Sequence, residues 1–374
     1  MTNLFYKVKI RGLTNLKNLG LYLRFISSKP SQTNDTNRKK IYVDLSDPRL
    51  ERYYYLLLKF FDLADCQINI KMNPWLLLNL RNYNNLIYNL ESLKIVLFPP
   101  KNFDLWLTAN KKLFSQKNVL LVDINYFTQK KAADEYVFPY NMHPDVYDSD
   151  LYKSIPTLRE VKKSIKVFFG GNTGVGYGNL DIPKFFGKIT RNEIVAYLEE
   201  FSDKDKLINI TTEEEANLLL SGKYFEIVSA KKPLFTLENW LEVLARSNFY
   251  IALPGFSMPF SHNVVEAMSV GTIPILQYPE MFTPPLTNLV DCLSFDSKSD
   301  LIDKINLALN LNTEKILAMR ENVLKYYDEN LEPETAVDKL FDKLPTVRKL
   351  YLNAEHNSVA KLKEEISQID SFGG

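Results

Sequence analysis

The stretch "PGFSMPFSHNVVEAMSVGTIPIL", residues 254–276, concentrates groups that chemistry uses. Pro254 and Gly255 open a loop that carries Ser257, Ser261, His262 and Asn263 and then reaches Glu266. Gly271 and Pro274 follow and enter an apolar strand. Small residues let backbone amides approach a ligand, hydroxyl and amide groups donate to it, and a carboxylate accepts from ligand hydroxyls. Ser261 is placed to cap a helix running through Glu266, which would aim that helix's free amides at the same ligand. Glu266 stands in the apolar run 264–268, where a carboxylate is costly to bury unless it accepts hydrogen bonds. The expectation is a solvent-facing carboxylate in a cleft, receiving sugar or ribose hydroxyls and contributing little to the core.

Two further stretches carry chemistry. In "VFFGGNTGVGYG" (167–178) a buried strand runs into Gly170, Gly171, Asn172 and Thr173, a turn whose amides suit a phosphate. The glycine spacing is neither a dinucleotide fingerprint nor a P-loop, since no Gly-Lys-Ser/Thr follows. In "GKITRNEIVAYLEEF" (187–201), Thr190 and Glu193 form a capping box that starts a helix. Arg191 then falls in the first turn, where a cation opposes the helix dipole and an anionic ligand nearby would give it a reason.

These residues need a scaffold that brings strand ends together. Apolar runs at 40–45, 66–72, 94–99, 118–124, 165–171, 206–211, 249–255 and 271–276 read as strands. Helical patterns lie between them at roughly 48–62, 102–115, 190–201, 236–247 and 261–269. Strands alternating with helices predict a parallel sheet covered on both faces. The pattern breaks at 140–160, a Pro-, Asp- and Ser-containing stretch expected to be a linker. It divides a domain over 1–150 from a second over 160–333, with a polar helical tail over 334–374.

Composition sets the outer bounds. A chain of 374 residues favours two domains. Lys plus Arg (46) balance Asp plus Glu (45), which excludes a strongly basic nucleic-acid binder. Cys66 and Cys292 have no metal-ligand spacing, consistent with a reducing, cytoplasmic compartment. The N-terminal "MTNLFYKVKIRGL" is neither a signal peptide nor a span, because Lys7, Lys9 and Arg11 interrupt it. Peripheral membrane contact is the most that is expected.

The segment 245–276, "ARSNFYIALPG" followed by Ser261, four residues, "EAM" and "GTIPIL", resembles the donor-binding segment of GT-B glycosyltransferases, and among them the exostosin-like enzymes. The resemblance covers 240–280 well and the surrounding domain loosely. It implies an α/β fold of two Rossmann-like domains facing a cleft (GT-B type), with a C-terminal helix crossing back to the first. It implies a nucleotide-sugar donor held mainly by the second domain. Glu266 would meet hydroxyls, and Ser261 and its neighbouring amides the diphosphate. Gly170 to Thr173 and Arg191 fall where such enzymes place a phosphate loop and a basic group. At 262–264 His-Asn-Val replaces the basic or aromatic residues of that pattern, so base and sugar stay open.

An inverting transferase also needs a group that deprotonates the acceptor hydroxyl. Asp44, Asp47, Asp123, His143 and Asp145 are available, each more readily read as a cap or turn residue; Asp44 and His143 are the candidates carried forward. Asp148-Ser149-Asp150 lies in the expected linker and not at a strand end, so no metal and no cofactor is expected. The acceptor expected is a glycan or a lipid-linked hydroxyl, the latter met at the inner membrane face. The alternatives are a non-catalytic nucleotide-sugar-binding protein and a sugar-nucleotide epimerase of the same fold.

Overall fold

A computed structural model describes residues 16–20, 23, 38–45, 50, 52–71, 83–113, 116–127, 132–201 and 205–372. The N-terminal stretch 1–13 and Asp47 lie outside the described residues. The chain divides into two compact units, Met1–Phe138 with Pro333–Gly374, and Pro139–Glu332.

In the first unit the chain runs β1 (Lys40–Asp44), α1 (Arg52–Leu63), β2 (Gln67–Lys71), β3 (Leu93–Val96), β4 (Leu105–Thr108), β5 (Val119–Asp123) and β6 (Glu135–Val137). The core of β1, Ile41 to Val43, is buried on both faces, as in a sheet covered by helices. Tyr53 to Leu58, Phe60 and Phe61 of α1 are buried almost all round, so this helix lies within the unit's core.

The second unit continues with α2 (Pro144–Asp148), α3 (Ile155–Arg159), β7 (Ile165–Gly170), α4 (Asp181–Phe186), α5 (Arg191–Phe201), β8 (Leu207–Ile210) and α6 (Glu213–Leu219). Then come β9 (Phe225–Ala230), α7 (Leu237–Ala245), β10 (Ser247–Ile251), α8 (His262–Ser269), β11 (Ile273–Leu276), β12 (Leu293–Ser294), α9 (Lys298–Asn310) and α10 (Thr313–Asn330). The chain returns to the first unit through α11 (Pro333–Lys343), β13 (Lys349–Tyr351) and α12 (His356–Phe372).

Two wholly parallel sheets result, ordered β3-β2-β1-β4-β5-β13-β6 and β12-β11-β10-β7-β9-β8. Each unit is thus Rossmann-like. Each sheet also has a point where the strand order reverses: between β1 and β4 in the first, and between β7 and β10 in the second. Crevices at such points lie beyond the strands' carboxyl ends and are where ligands bind in open parallel sheets.

Four sequence expectations differ from the structure. Residues 102–113 hold β4 instead of a helix, because Leu105 and Leu107 alternate inward and Trp106 pairs opposite Tyr42. The stretch 140–160 is not a linker: α2 and α3 form within it, with Val146, Tyr147 and Ile155 buried in the second unit. The tail is not one helix from 334. Val347, Leu350, Tyr351 and Leu352 are buried, and β13 inserts between β5 and β6, opposing Leu350 to Val122 and Tyr136. Finally β9, unexpected from its "FEIVSA", lies beside β7 near the middle of its sheet. Among the described residues no helix is long and apolar enough to cross a membrane.

Candidate functional site

The chain's chemically rich residues gather at the switch point between β7 and β10. Gly171 and Asn172 follow β7, and Pro254 and Gly255 follow β10. The strands pair directly, Tyr250 opposite Phe168, so the two loops leave the sheet side by side.

Arg191 ties them together. It sits at the start of α5, where Glu193 accepts from the Thr190 backbone N–H at 3.2 Å and hydroxyl at 2.8 Å, closing the expected capping box. Its side chain turns inward and is only 5% exposed. Nε donates to the Pro254 carbonyl at 2.8 Å, Nη1 to that of Asn172 at 3.0 Å, and Nη2 to that of Leu253 at 3.4 Å. The guanidinium lies 4.2 Å from the centre of the Tyr177 ring. Burial, partly offset by the neighbouring tyrosines, lowers its pKa below the ordinary arginine value. Among the described residues no carboxylate pairs with it. A guanidinium has five N–H donors, and three carbonyl bonds leave two of them for a ligand. A buried cation without a counterion is held at a cost that a bound anion would offset.

The surrounding residues shape the space beside it. A Cβ on Gly171 would lie 3.0 Å from Arg191 Nη1 and 3.9 Å from Asn263 Nδ2, so the bare backbone at 171 keeps the guanidinium's front open. Asn263 Nδ2 donates to the Tyr250 hydroxyl at 3.2 Å, and that hydroxyl donates to the Gly170 carbonyl at 2.8 Å. Burial raises the Tyr250 pKa, so it stays a neutral hydroxyl. The Tyr278 hydroxyl, fully buried and within electrostatic reach of Arg191, has no hydrogen-bond partner among the described residues. Asn172 Oδ1 accepts from Gly174 N at 2.9 Å and folds the turn on itself, and Thr173 Oγ1 donates to the Lys231 carbonyl at 3.4 Å.

The helix α8 supplies the carboxylate. Ser261 is its N-cap, with extended backbone and no capping bond from its hydroxyl. His262 and Asn263 occupy its first turn. Glu266, expected to face solvent, is 1% exposed. Its Oε2 accepts from the Trp240 indole Nε1–H at 2.7 Å and its Oε1 from the His143 backbone N–H at 3.0 Å. The burial cost is met by these two donors, which come from residues 26 and 123 positions away in the chain.

The other expected site residues make contacts of their own. A Cβ on Gly170 would lie 2.6 Å from both Phe168 Cζ and Trp240 Cζ3, so this glycine makes room for aromatic rings. Gly255 closes its own loop: its N–H donates to Met258 O at 2.9 Å, and a Cβ would lie 2.5 Å from Phe260 O. Ser257 is half-buried in that loop. His143 caps α2 through Nδ1, which accepts from Asp145 N at 3.3 Å, and its ring meets that of His262 with centroids 5.0 Å apart. Asp44 ends β1 at the first sheet's switch point, ion-paired with Lys71 at 3.0 Å. Sequence reading missed Trp240, Tyr250, Tyr177 and Tyr278. The first two sat in stretches read only as helix and strand, and their polar atoms gave no local sign of a role.

No family model matches the chain, and no curated protein matches its sequence. Solved structures match at low identity. HepE of Anabaena in complex with UDP-glucose is 10% identical, covering 83% of this chain and 100% of that one, with a TM-score of 0.41. Sucrose-phosphate synthase from Thermosynechococcus elongatus is 12% identical, covering 82% and 99%, with a TM-score of 0.39. WaaG, a glycosyltransferase involved in lipopolysaccharide biosynthesis, is 11% identical, covering 80% and 99%, with a TM-score of 0.35. At these scores the role of each residue rests on the chain's own geometry.

Proposed function

We propose that this chain is a glycosyltransferase that moves a sugar from a nucleotide diphosphate to an acceptor hydroxyl, and that the second unit holds the donor. The observation that carries the reading is Arg191: a buried guanidinium with no carboxylate partner among the described residues and two N–H groups to spare, at a sheet switch point. A diphosphate matches those two N–H groups in charge and in the forked geometry of the guanidinium. The resemblance of 245–276 to GT-B donor segments points the same way.

In this reading the leaving diphosphate rests against Arg191, with the open backbone at Gly171 and the N-terminal end of α8 close by. Negative charge develops on it as the glycosidic bond breaks, and preorganised donors stabilise that charge without a metal. Glu266, whose oxygens accept from the Trp240 indole and the His143 backbone, is assigned the further role of accepting from a vicinal diol of ribose or sugar. The first unit is assigned the acceptor side. Asp44 is the proposed base that removes the acceptor's proton, with inversion at the sugar carbon, and His143 is the other candidate. The acceptor is a glycan or a lipid-linked hydroxyl.

The test is incubation with a panel of nucleotide-sugars, beginning with UDP-glucose, the donor present in the HepE structure. Hydrolysis or transfer supports the reading. Binding without turnover would make the chain a nucleotide-sugar-binding protein, and interconversion at the sugar's C2 an epimerase.

A further inference from the structure

We infer, on the donor-site reading of Arg191, that Tyr278 is a second binding residue for the same anion, its hydroxyl donating to a phosphoryl oxygen of the diphosphate. Tyr278 follows β11, the strand that pairs with β10 in the second unit. Gln277, the residue before it, is buried and braces this point against the chain entering α5. Its Nε2 donates to the Ile189 carbonyl at 2.8 Å and its Oε1 accepts from the Ile189 N–H at 2.8 Å, two residues before Arg191. That brace sets Tyr278 near the guanidinium, and the two groups lie within electrostatic reach of each other.

The Tyr278 ring is fully buried. It lies parallel to Phe282, with centroids 6.4 Å apart and planes at 6°, and meets Phe260 edge-on at 5.8 Å. Such neighbours pack the ring and offer nothing to its oxygen. The hydroxyl has no hydrogen-bond partner among the described residues, a costly state for a buried polar group. Burial raises its pKa, so it keeps its proton, and that proton needs an acceptor. Arg191 cannot supply one, because a guanidinium only donates. Tyr250, also within reach, is committed: its hydroxyl donates to the Gly170 carbonyl and accepts from Asn263. Arg191 and Tyr278 therefore present donors without acceptors side by side, two N–H groups and one O–H. A phosphoryl group brings negative charge and several acceptor oxygens, so one ligand answers both.

The test uses the full chain and inorganic pyrophosphate, with UDP as a second probe. Tyr278→Phe keeps the ring and removes only the oxygen. It should weaken pyrophosphate and UDP binding by the same factor, about ten-fold, as loss of one hydrogen bond to a charged group does. In the free protein the change removes a buried hydroxyl that has no partner among the described residues, so Tm should hold or rise. Weaker binding without a lower Tm is a pattern that a merely structural tyrosine does not give. Unchanged pyrophosphate affinity overturns the inference. So does a loss confined to UDP, which would put the hydroxyl against the nucleoside.

A second measurement does not depend on that variant. Tyr278→fluorotyrosine, with one ring hydrogen beside the hydroxyl replaced by fluorine, nearly keeps the shape and makes the phenol a stronger acid and so a stronger donor. Pyrophosphate should then bind more tightly, and the fluorine NMR signal of this buried ring should move on binding. A signal that stays in place while pyrophosphate binds overturns the role of Tyr278 and leaves the donor-site reading standing. A wild type that binds neither pyrophosphate nor UDP overturns that reading first, and the role of Tyr278 with it.

Discussion

Replacing Arg191 by lysine keeps the charge and removes the fork. The guanidinium reaches three carbonyls on two loops, those of Pro254, Asn172 and Leu253. An ammonium at the end of a lysine chain can keep one of these, so two are lost. A hydrogen bond from a charged donor contributes about 1.5–3 kcal/mol, which makes the loss roughly 3–6 kcal/mol. For a unit of this size that lowers Tm by roughly 6–24 °C. Binding should suffer as well, because the ammonium's other N–H groups lack the planar spacing of the fork. Pyrophosphate, a probe that makes no assumption about base or sugar, should bind about ten-fold more weakly. Calorimetric titration with pyrophosphate beside a thermal melt of the full chain reads both effects. An Arg191→Lys protein that melts early yet binds pyrophosphate as well as the wild type would show that the guanidinium only splices the two loops. The proposed donor site would then lose its anion-binding group.

Other outcomes follow from the same geometry. Gly171→Val places a side chain against Arg191 Nη1, which lies 3.0 Å from that position's Cβ, and should weaken pyrophosphate binding in a protein that still folds; equal affinity would count against the phosphate role of this turn. Glu266→Ala removes a buried acceptor and orphans the Trp240 and His143 donors, so it should cost both Tm and UDP affinity, and Glu266→Gln less of each; a melting loss with UDP affinity intact would make Glu266 a structural group only. Deleting 333–374 removes β13 from inside the first sheet and α11 from its packing on α1, and should unfold that unit, which circular dichroism and proteolysis would show; a truncated chain that melts like the full one would refute the strand's placement. Burial pushes the Cys66 and Cys292 thiols from 9.0 up to about 12, opposed at Cys66 by Lys39 and aided at both by neighbouring carboxylates, so both should resist alkylation in the folded protein. Their raised values stabilise the fold below pH 9 and that contribution fades as pH rises toward 12, so denaturant midpoints should fall across that window; midpoints that stay flat would contradict it.

What the sequence determined by itself was local. Apolar runs placed β1, β5, β7, β10 and β11 correctly. The Thr190–Glu193 box placed the start of α5, and the run from Ser261 placed α8, because caps and periodicity act over a few residues. The candidate residues Gly171, Asn172, Arg191, Pro254, Asn263 and Glu266 were legible as chemistry-bearing for the same reason. Their arrangement was not. That β7 lies beside β10, some 80 residues later, is decided by which apolar faces pack, and no short window records it. Leu350 in β13 shows this most plainly: its strand is three residues long and gains its partners from chain more than 200 residues earlier, so nothing nearby announces a strand. The site follows the same division. Sequence could show that Glu266 is a carboxylate in apolar company, but whether it faces water depends on two donors, the Trp240 indole and the His143 backbone N–H, that only folding brings to it. Arg191 likewise reads as a cation at the wrong end of a helix until the carbonyls of two distant loops close around it and leave part of the guanidinium unused.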